Sequence, residues 1–197
     1  MNLNIVLFVL FIGQSLCNVV NDDIKAIGKS VNKAPIEEIA AKHFVFDPNF
    51  RKAVKFLKGS GLKELVKEAE TKPEFNATLQ YLRDNGLDTD DIIPWSYLQK
   101  SLEDIQDYNG VDTFPKFLEE VMNVLPQQSI KQQIKSYRSR DKEFENFFQA
   151  IKTDKFRSLV TNARKASSLE EEIRVLSENG IDIDQLINIL FTIIAWG

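Results

Sequence analysis

The stretch from Leu79 to Ile93, LQYLRDNGLDTDDII, returns from Ile173 to Ile187 as IRVLSENGIDIDQLI, 94 residues later. At that shift, apolar positions fall on apolar positions without a gap over about 70 residues. Phe50 maps onto Phe144, Leu57 onto Ile151, Leu62 onto Phe156, Val66 onto Val160 and Leu79 onto Ile173. Asn85-Gly86 falls on Asn179-Gly180, and Asp88 on Asp182. Generic amphipathic patterning does not keep stripe, stop and cap in one register, so the chain reads as an internal duplication.

Within each copy apolar residues recur at i, i+3, i+4 and i+7, Gly and Pro are scarce, and β-branched alternation is absent. That pattern predicts short amphipathic helices and no strand. The first spans Asp22 to Asn32 with Ile24, Ile27 and Val31 inward, and Pro35 opens a second striped by Ile36, Ile39, Ala40 and His43. Asp47-Pro48 is a cap followed by an N1 proline, starting a third helix with Phe50, Ala53, Val54 and Leu57 on its buried face. After Gly59-Ser60-Gly61 comes a fourth helix, and Thr71-x-x-Glu74 reads as a capping box for the fifth. Gly86 should take the left-handed conformation that ends the fifth helix, and Asp88 should cap a sixth. The final helix, from Asp184, is apolar nearly all round between Leu186 and Trp196, which predicts a centrally buried element.

The expected organisation is a secretory signal at 1–17 cleaved after Cys17, a first repeat at 18–100, a linker at 101–112 and a second repeat at 113–197. The two repeats form one all-α domain of about twelve short helices. Cleavage removes the only cysteine, so the mature chain must be stabilised by packing rather than by disulfides. A net charge of −4 with both signs interspersed gives no basic footprint, and nucleic acid is excluded as a partner. The sequon Asn76-Ala77-Thr78 makes Asn76 a glycosylation candidate on the polar side of the fifth helix.

Chemistry finds little to work with. His43 is the only histidine, which rules out His-rich zinc sites, and its twin Tyr137 marks a packing position with a polar tip. The acidic groups Asp88, Asp90, Asp91 and Asp182, Asp184 lack Ca²⁺-loop spacing and suit helix capping, so no metal is expected. Lys58-Gly59-Ser60-Gly61 lacks the length and the Lys-Ser/Thr pair of a P-loop. No nucleophile elbow or metalloprotease motif occurs, so no catalytic residue is assigned and a non-enzymatic protein is expected. The remaining resource is apolar: twelve of fourteen Phe lie beyond residue 17. They either fill a core or wall a cavity between helices, and periodicity does not separate the two.

Three strings narrow the choice: PEFNATLQYLRDNGLDTDDII in the first copy, and FPKFLEEVMNVLPQQSIKQQIKSYRSRDKEFENFFQAIKTDKFRSLV followed by VLSENGIDIDQLINIL in the second. Here the chain resembles the insect allergen-related repeat family, which includes midgut microvillar proteins and the major cockroach allergen. The resemblance implies an all-α capsule in which two repeats enclose a large apolar cavity holding fatty-acid or phospholipid chains, with no other cofactor. It also implies secretion into the digestive tract, in the lumen or in peripheral contact with microvillar membranes. On that basis the cavity-lining candidates are the paired inward positions Phe50, Leu57, Leu62, Val66 and Leu79, with Phe144, Phe148, Ile151, Phe156, Val160 and Ile173. Two other readings accompany it: a gut-lining interaction protein with a filled core, and a nitrile-specifier-like detoxification factor. The family's sixth helix often carries Asn followed by Ile-His, where this chain has Pro94-Trp95 in the first copy and Asn188 without the histidine in the second.

Overall fold

The computed structural model describes residues 19–89 and 114–197. The expected signal and its cleavage site, the linker 101–112 and the first copy's sixth helix beyond Thr89, Pro94 included, lie outside the described residues. Among those described there are eleven α-helices and no strand. In the first copy they are α1 Val19–Ser30, α2 Ala34–Phe46, α3 Pro48–Lys58, α4 Ser60–Glu70 and α5 Pro73–Asp84. The second copy has α6 Phe114–Val124, α7 Gln127–Arg140, α8 Lys142–Ile151, α9 Asp154–Lys165, a 3₁₀ turn Ser167–Leu169, α10 Glu170–Glu178 and α11 Ile183–Trp196. Shifted by 94, α1 to α4 fall within one residue of α6 to α9 at both ends, and α5 covers the 3₁₀ turn plus α10.

The shared helix ends have shared causes. Asp47 accepts from the Phe50 amide at 2.9 Å, and its twin Asp141 accepts from Glu143 and Phe144 at 2.8 and 3.0 Å, so α3 and α8 start on equivalent side-chain caps. Gly86 and Gly180 take φ of 92° and 78°. Leu87 then donates to the Leu82 carbonyl and Ile181 to the Leu176 carbonyl, both at 3.0 Å, closing a Schellman stop in each copy. A Cβ on Gly180 would meet nothing closer than the Asn49 carbonyl at 3.5 Å, so the space is adequate and only the backbone angle resists a side chain. Gly180→Ala is therefore expected to cost about 1 kcal/mol, from the left-handed conformation alone. Equilibrium urea unfolding reads this directly, and an unchanged midpoint would contradict it.

Two expectations are corrected. The capping box at Thr71 and Glu74 does not form. Pro73 occupies the first helical position of α5, Lys72 precedes it without a side-chain cap, and the Thr71 hydroxyl donates back to the Glu68 carbonyl at 2.6 Å, finishing α4 instead. The last helix is also not buried all round: Asn188, Thr192 and Ala195 form one exposed stripe on α11, opposite the buried Ile189, Ile193 and Ile194. Asn188 and Thr192, the two polar interruptions in its sequence, mark the solvent side, and the small Ala195 completes it.

The helices do not pack copy by copy. α1 of the first copy lies against α7 and α8 of the second, and α6 of the second lies against α2 and α3 of the first. The same exchange occurs at the other end of the unit, where α5 packs on α9 and α4 on α10. Twin residues meet at that joint: Ala69 and Ala163 are buried in one small cluster with Leu169 and Phe75, and Ser168 donates to its twin position Glu74 at 2.7 Å. The main core runs through both copies, from Val20 and Ile27 to Ile193 and Ile194.

Candidate functional site

Reciprocal packing leaves a cavity of about 280 Å³ walled by both copies. From the first copy, α1 supplies Ile24 and Ile27, α5 supplies Phe75, Thr78, Leu79 and Leu82, and the stop after α5 supplies Leu87. From the second, α7 contributes Ile134, α8 contributes Phe144, Phe147, Phe148 and Ile151, and α9 contributes Phe156 and Val160. Leu190, Ile193 and Ile194 of α11 complete it. The spacing explains the wall. Phe144, Phe147, Phe148 and Ile151 occupy one helical face, as do Phe75, Thr78, Leu79 and Leu82. Among the described lining residues Thr78 is the single polar one, and its hydroxyl donates to the Glu74 carbonyl at 3.1 Å.

Among the described residues, charged groups stand around the wall rather than in it. The Arg138 guanidinium lies 5.0 Å from the centre of the Phe148 ring and holds Glu145 at 2.6 and 3.2 Å, while also donating to the Gly197 carbonyl. Gln149 donates to the same Glu145 carboxylate at 2.8 Å. Lys155 sits 5.1 Å from the Tyr81 ring, which stacks on Phe156, and Arg157 sits 4.3 Å from Phe191, which meets Phe156 edge-on. The Tyr81 hydroxyl bonds the Ala150 carbonyl at 3.0 Å and Thr153 at 3.1 Å, fixing α5 to the joint between α8 and α9.

The hydrogen bond from Arg138, followed by that from Gln149, brings the Glu145 carboxyl down from its ordinary 4.5 to about 2. In the unfolded chain this group takes up a proton near its ordinary 4.5, whereas in the folded chain it stays ionised down to about 2. The unfolded state therefore binds more protons in that interval, and the contribution of Glu145 to stability is present above it and lost as pH falls through it. Glu145→Gln should flatten stability between about pH 4.5 and 2. Urea midpoints measured across that range check it, and identical pH slopes for the two proteins would refute it.

Six of the eleven candidate residues line the cavity: Leu79, Phe144, Phe148, Ile151, Phe156 and Val160. The other five lie elsewhere. Phe50 is in an aromatic cluster with Phe117 at 4.6 Å, His43 at 5.7 Å and Phe114 at 6.0 Å. Leu57 and Leu62 are buried in the main core with Val66 packed against it, and Ile173 adjoins the small cluster of Ala69, Ala163 and Leu169. The division follows the twin pairs, since this cavity takes Phe144, Ile151, Phe156, Val160 and Leu79 but not their partners at the 94 shift. Ile24 and Ile27 were legible as inward positions, yet nothing in the sequence shows α1 crossing to the other copy. Asn76 is exposed on α5.

His43 is almost completely buried, 2 % exposed, between the Phe50 and Phe117 rings. Its Nδ1 is 3.7 Å from Asp47 and its Nε2 3.4 Å from Glu120, and neither nitrogen has a hydrogen-bond partner. The packing position expected for it is occupied, but without the hydrogen-bonded tip, and it is not among the cavity's lining residues. Among the described residues no group of His, Cys, Asp and Glu is arranged to hold a metal, and no helix is long and apolar enough to cross a membrane.

A family profile described as insect allergen related repeat, nitrile-specifier detoxification, matches residues 20–187. The chain belongs to the insect allergen-related repeat family. The match begins within α1 and ends inside α11, so every cavity-lining helix falls wholly or partly within it. No curated protein matches the chain.

Proposed function

We propose that this family member is a secreted, non-enzymatic carrier that holds an acyl chain of a fatty acid or phospholipid in the cavity between its two copies, working in the digestive tract. The observation that carries the reading is the wall itself, whose described residues are apolar apart from one hydroxyl already spent on a backbone carbonyl. Affinity in such a site comes from apolar surface removed from water, with few polar contacts to impose selectivity. At about 280 Å³ the space is near the small end of ligand pockets, roughly 300 to 1,000 Å³, which favours a single chain over several. No catalytic residue belongs to this reading. Secretion rests on the apolar run from Ile5 to Ile12 with its small-residue exit.

Solvent extraction of the purified chain followed by lipid mass spectrometry tests it, with close to one chain-bearing lipid per protein expected. Val160→Phe narrows the cavity from a half-buried position and should lower that yield. Protein that copurifies with no lipid and takes none up from added fatty acid would end the carrier reading.

The family's description favours a second reading, in which the chain redirects a detoxification reaction toward nitriles. Adding the protein to a myrosinase digest should then change the product spectrum, and an unchanged spectrum removes that activity for this member.

A further inference from the structure

We infer that the face formed by the end of α8 and the start of α9 docks on an anionic phospholipid bilayer, with Lys152, Lys155 and Arg157 as the cations that meet the headgroups. The choice of a bilayer as occupant rests on the carrier reading, whereas the basic face stands without it. Residues 131–165 hold ten Lys and Arg against four Asp and Glu, a net of +6 in a chain of −4, so the rest of the chain carries −10. Such asymmetry is the charge pattern of a surface that meets a polyanion. The duplication supplies an internal comparison. The twin segment 37–71 holds seven Lys and Arg against six Asp and Glu, so the basic character does not come with the repeated helix plan.

Each of the three cations is exposed and stands over an aromatic ring. Lys152 lies 5.7 Å from the centre of Phe148, Lys155 5.1 Å from that of Tyr81 and Arg157 4.3 Å from that of Phe191. Tyr81 and Phe191 both pack on Phe156, and the Tyr81 hydroxyl reaches Thr153, between Lys152 and Lys155 in the chain. The charges therefore form one contiguous group. Among the described residues none of the three has a carboxylate within ion-pair distance. By contrast, Arg138, Arg140 and Arg164 are held by Glu145, Asp23 and Asp184. Asp154, exposed at the start of α9, offsets one charge of the group. Local structure gives Lys155 and Arg157 no reason to be basic, because the first turn of a helix is its positive end and disfavours cations.

The same two helices give the cavity Phe148, Ile151, Phe156 and Val160, and Phe148 is both the plate under Lys152 and part of the wall. A carrier exchanges its acyl chain with a membrane, and a bilayer on this face stands beside the helices that wall the ligand space. Anionic headgroups attract such a face over about a Debye length.

The full chain is mixed with vesicles of phosphatidylcholine, with or without phosphatidylglycerol, and bound protein is measured by cosedimentation at low salt and at about 1 M, where the Debye length is roughly 3 Å. Binding is expected to the phosphatidylglycerol vesicles alone and to disappear at high salt. Lys152→Gln, Lys155→Gln and Arg157→Gln are combined in one variant. A second combines Lys55→Gln, Lys63→Gln and Lys67→Gln, which removes the same charge from exposed positions of the first copy. Urea midpoints establish that both are folded. A Lys or Arg near an anionic membrane contributes about fivefold to partitioning, so the first variant should bind on the order of 100-fold more weakly and the second within about threefold of the unchanged chain. Equal weakening of the two, or no binding to anionic vesicles, overturns the docking face. Retention on heparin without vesicle binding assigns the face to a soluble polyanion and overturns the bilayer. Lipid carried by the same preparation is measured separately: protein that holds lipid but ignores the vesicles loses the docking face alone, and protein that binds vesicles through these cations but holds no lipid keeps the face and loses the carrier reading.

Discussion

Replacing Phe117 with alanine is expected to destabilise the chain by about 3 to 5 kcal/mol, the usual range for emptying a closely packed Phe site. The ring is 1 % exposed and touches Phe50 at 4.6 Å, His43 at 5.6 Å and Phe114 at 5.8 Å. It belongs to α6, which packs on α2 and α3 of the other copy, so the void opens at a contact that joins the halves. For a chain of this size the loss corresponds to a Tm drop of roughly 10 °C. Phe117 does not line the cavity, so the folded fraction should bind ligand normally. Phe144→Ala is the informative comparison. Phe144 is equally buried but borders the cavity, so part of its surroundings is already open, and the change should enlarge the site as well as destabilise it. Urea unfolding of both variants, with ligand titration of the folded protein, separates the two outcomes. A loss below about 1 kcal/mol for Phe117→Ala would contradict the reciprocal placement of α6.

The second large effect is expected at Asp47, which is completely buried and caps α3 through the Phe50 amide at 2.9 Å. Alanine there removes the cap and leaves a buried amide without an acceptor, together costing about 2 to 3 kcal/mol. Asparagine keeps the capping oxygen, so Asp47→Asn should retain most of that contribution. The second oxygen of Asp47 has no hydrogen bond and lies 3.7 Å from the His43 ring, so the asparagine variant also measures what the charge contributes at this contact. The two variants are compared by calorimetry or urea unfolding. Equal losses for Ala and Asn would show that charge, and not capping, dominates at this position.

Much of the local structure was legible in the sequence because its causes are local. Asp47 with Pro48 and Asp182 announce helix starts through side-chain oxygens that reach amides two or three residues away. Gly86 and Gly180 announce stops because the left-handed turn favours a residue without Cβ. The capping box at Thr71 failed for an equally local reason, since Pro73 competes for the first helical position and Thr71 is claimed by α4. Apolar spacing identified inward faces correctly but did not say inward to what. Phe50 and Phe144 carry the same signal, yet one packs against Phe117 and the other borders the cavity.

By itself the sequence determined the helical class, the register of the duplication and the turn that ends the fifth helix in each copy, because periodicity, caps and left-handed glycines act over a few residues. Only the tertiary structure decided which apolar stripes became core and which became wall. That choice depends on α1 and α6 crossing to the opposite copy, a long-range packing arrangement that leaves no trace in helical spacing. The crossing places the joint after Gly86 beside the cavity, so that Leu87 lines it, while Ile181 after Gly180 is buried away from it.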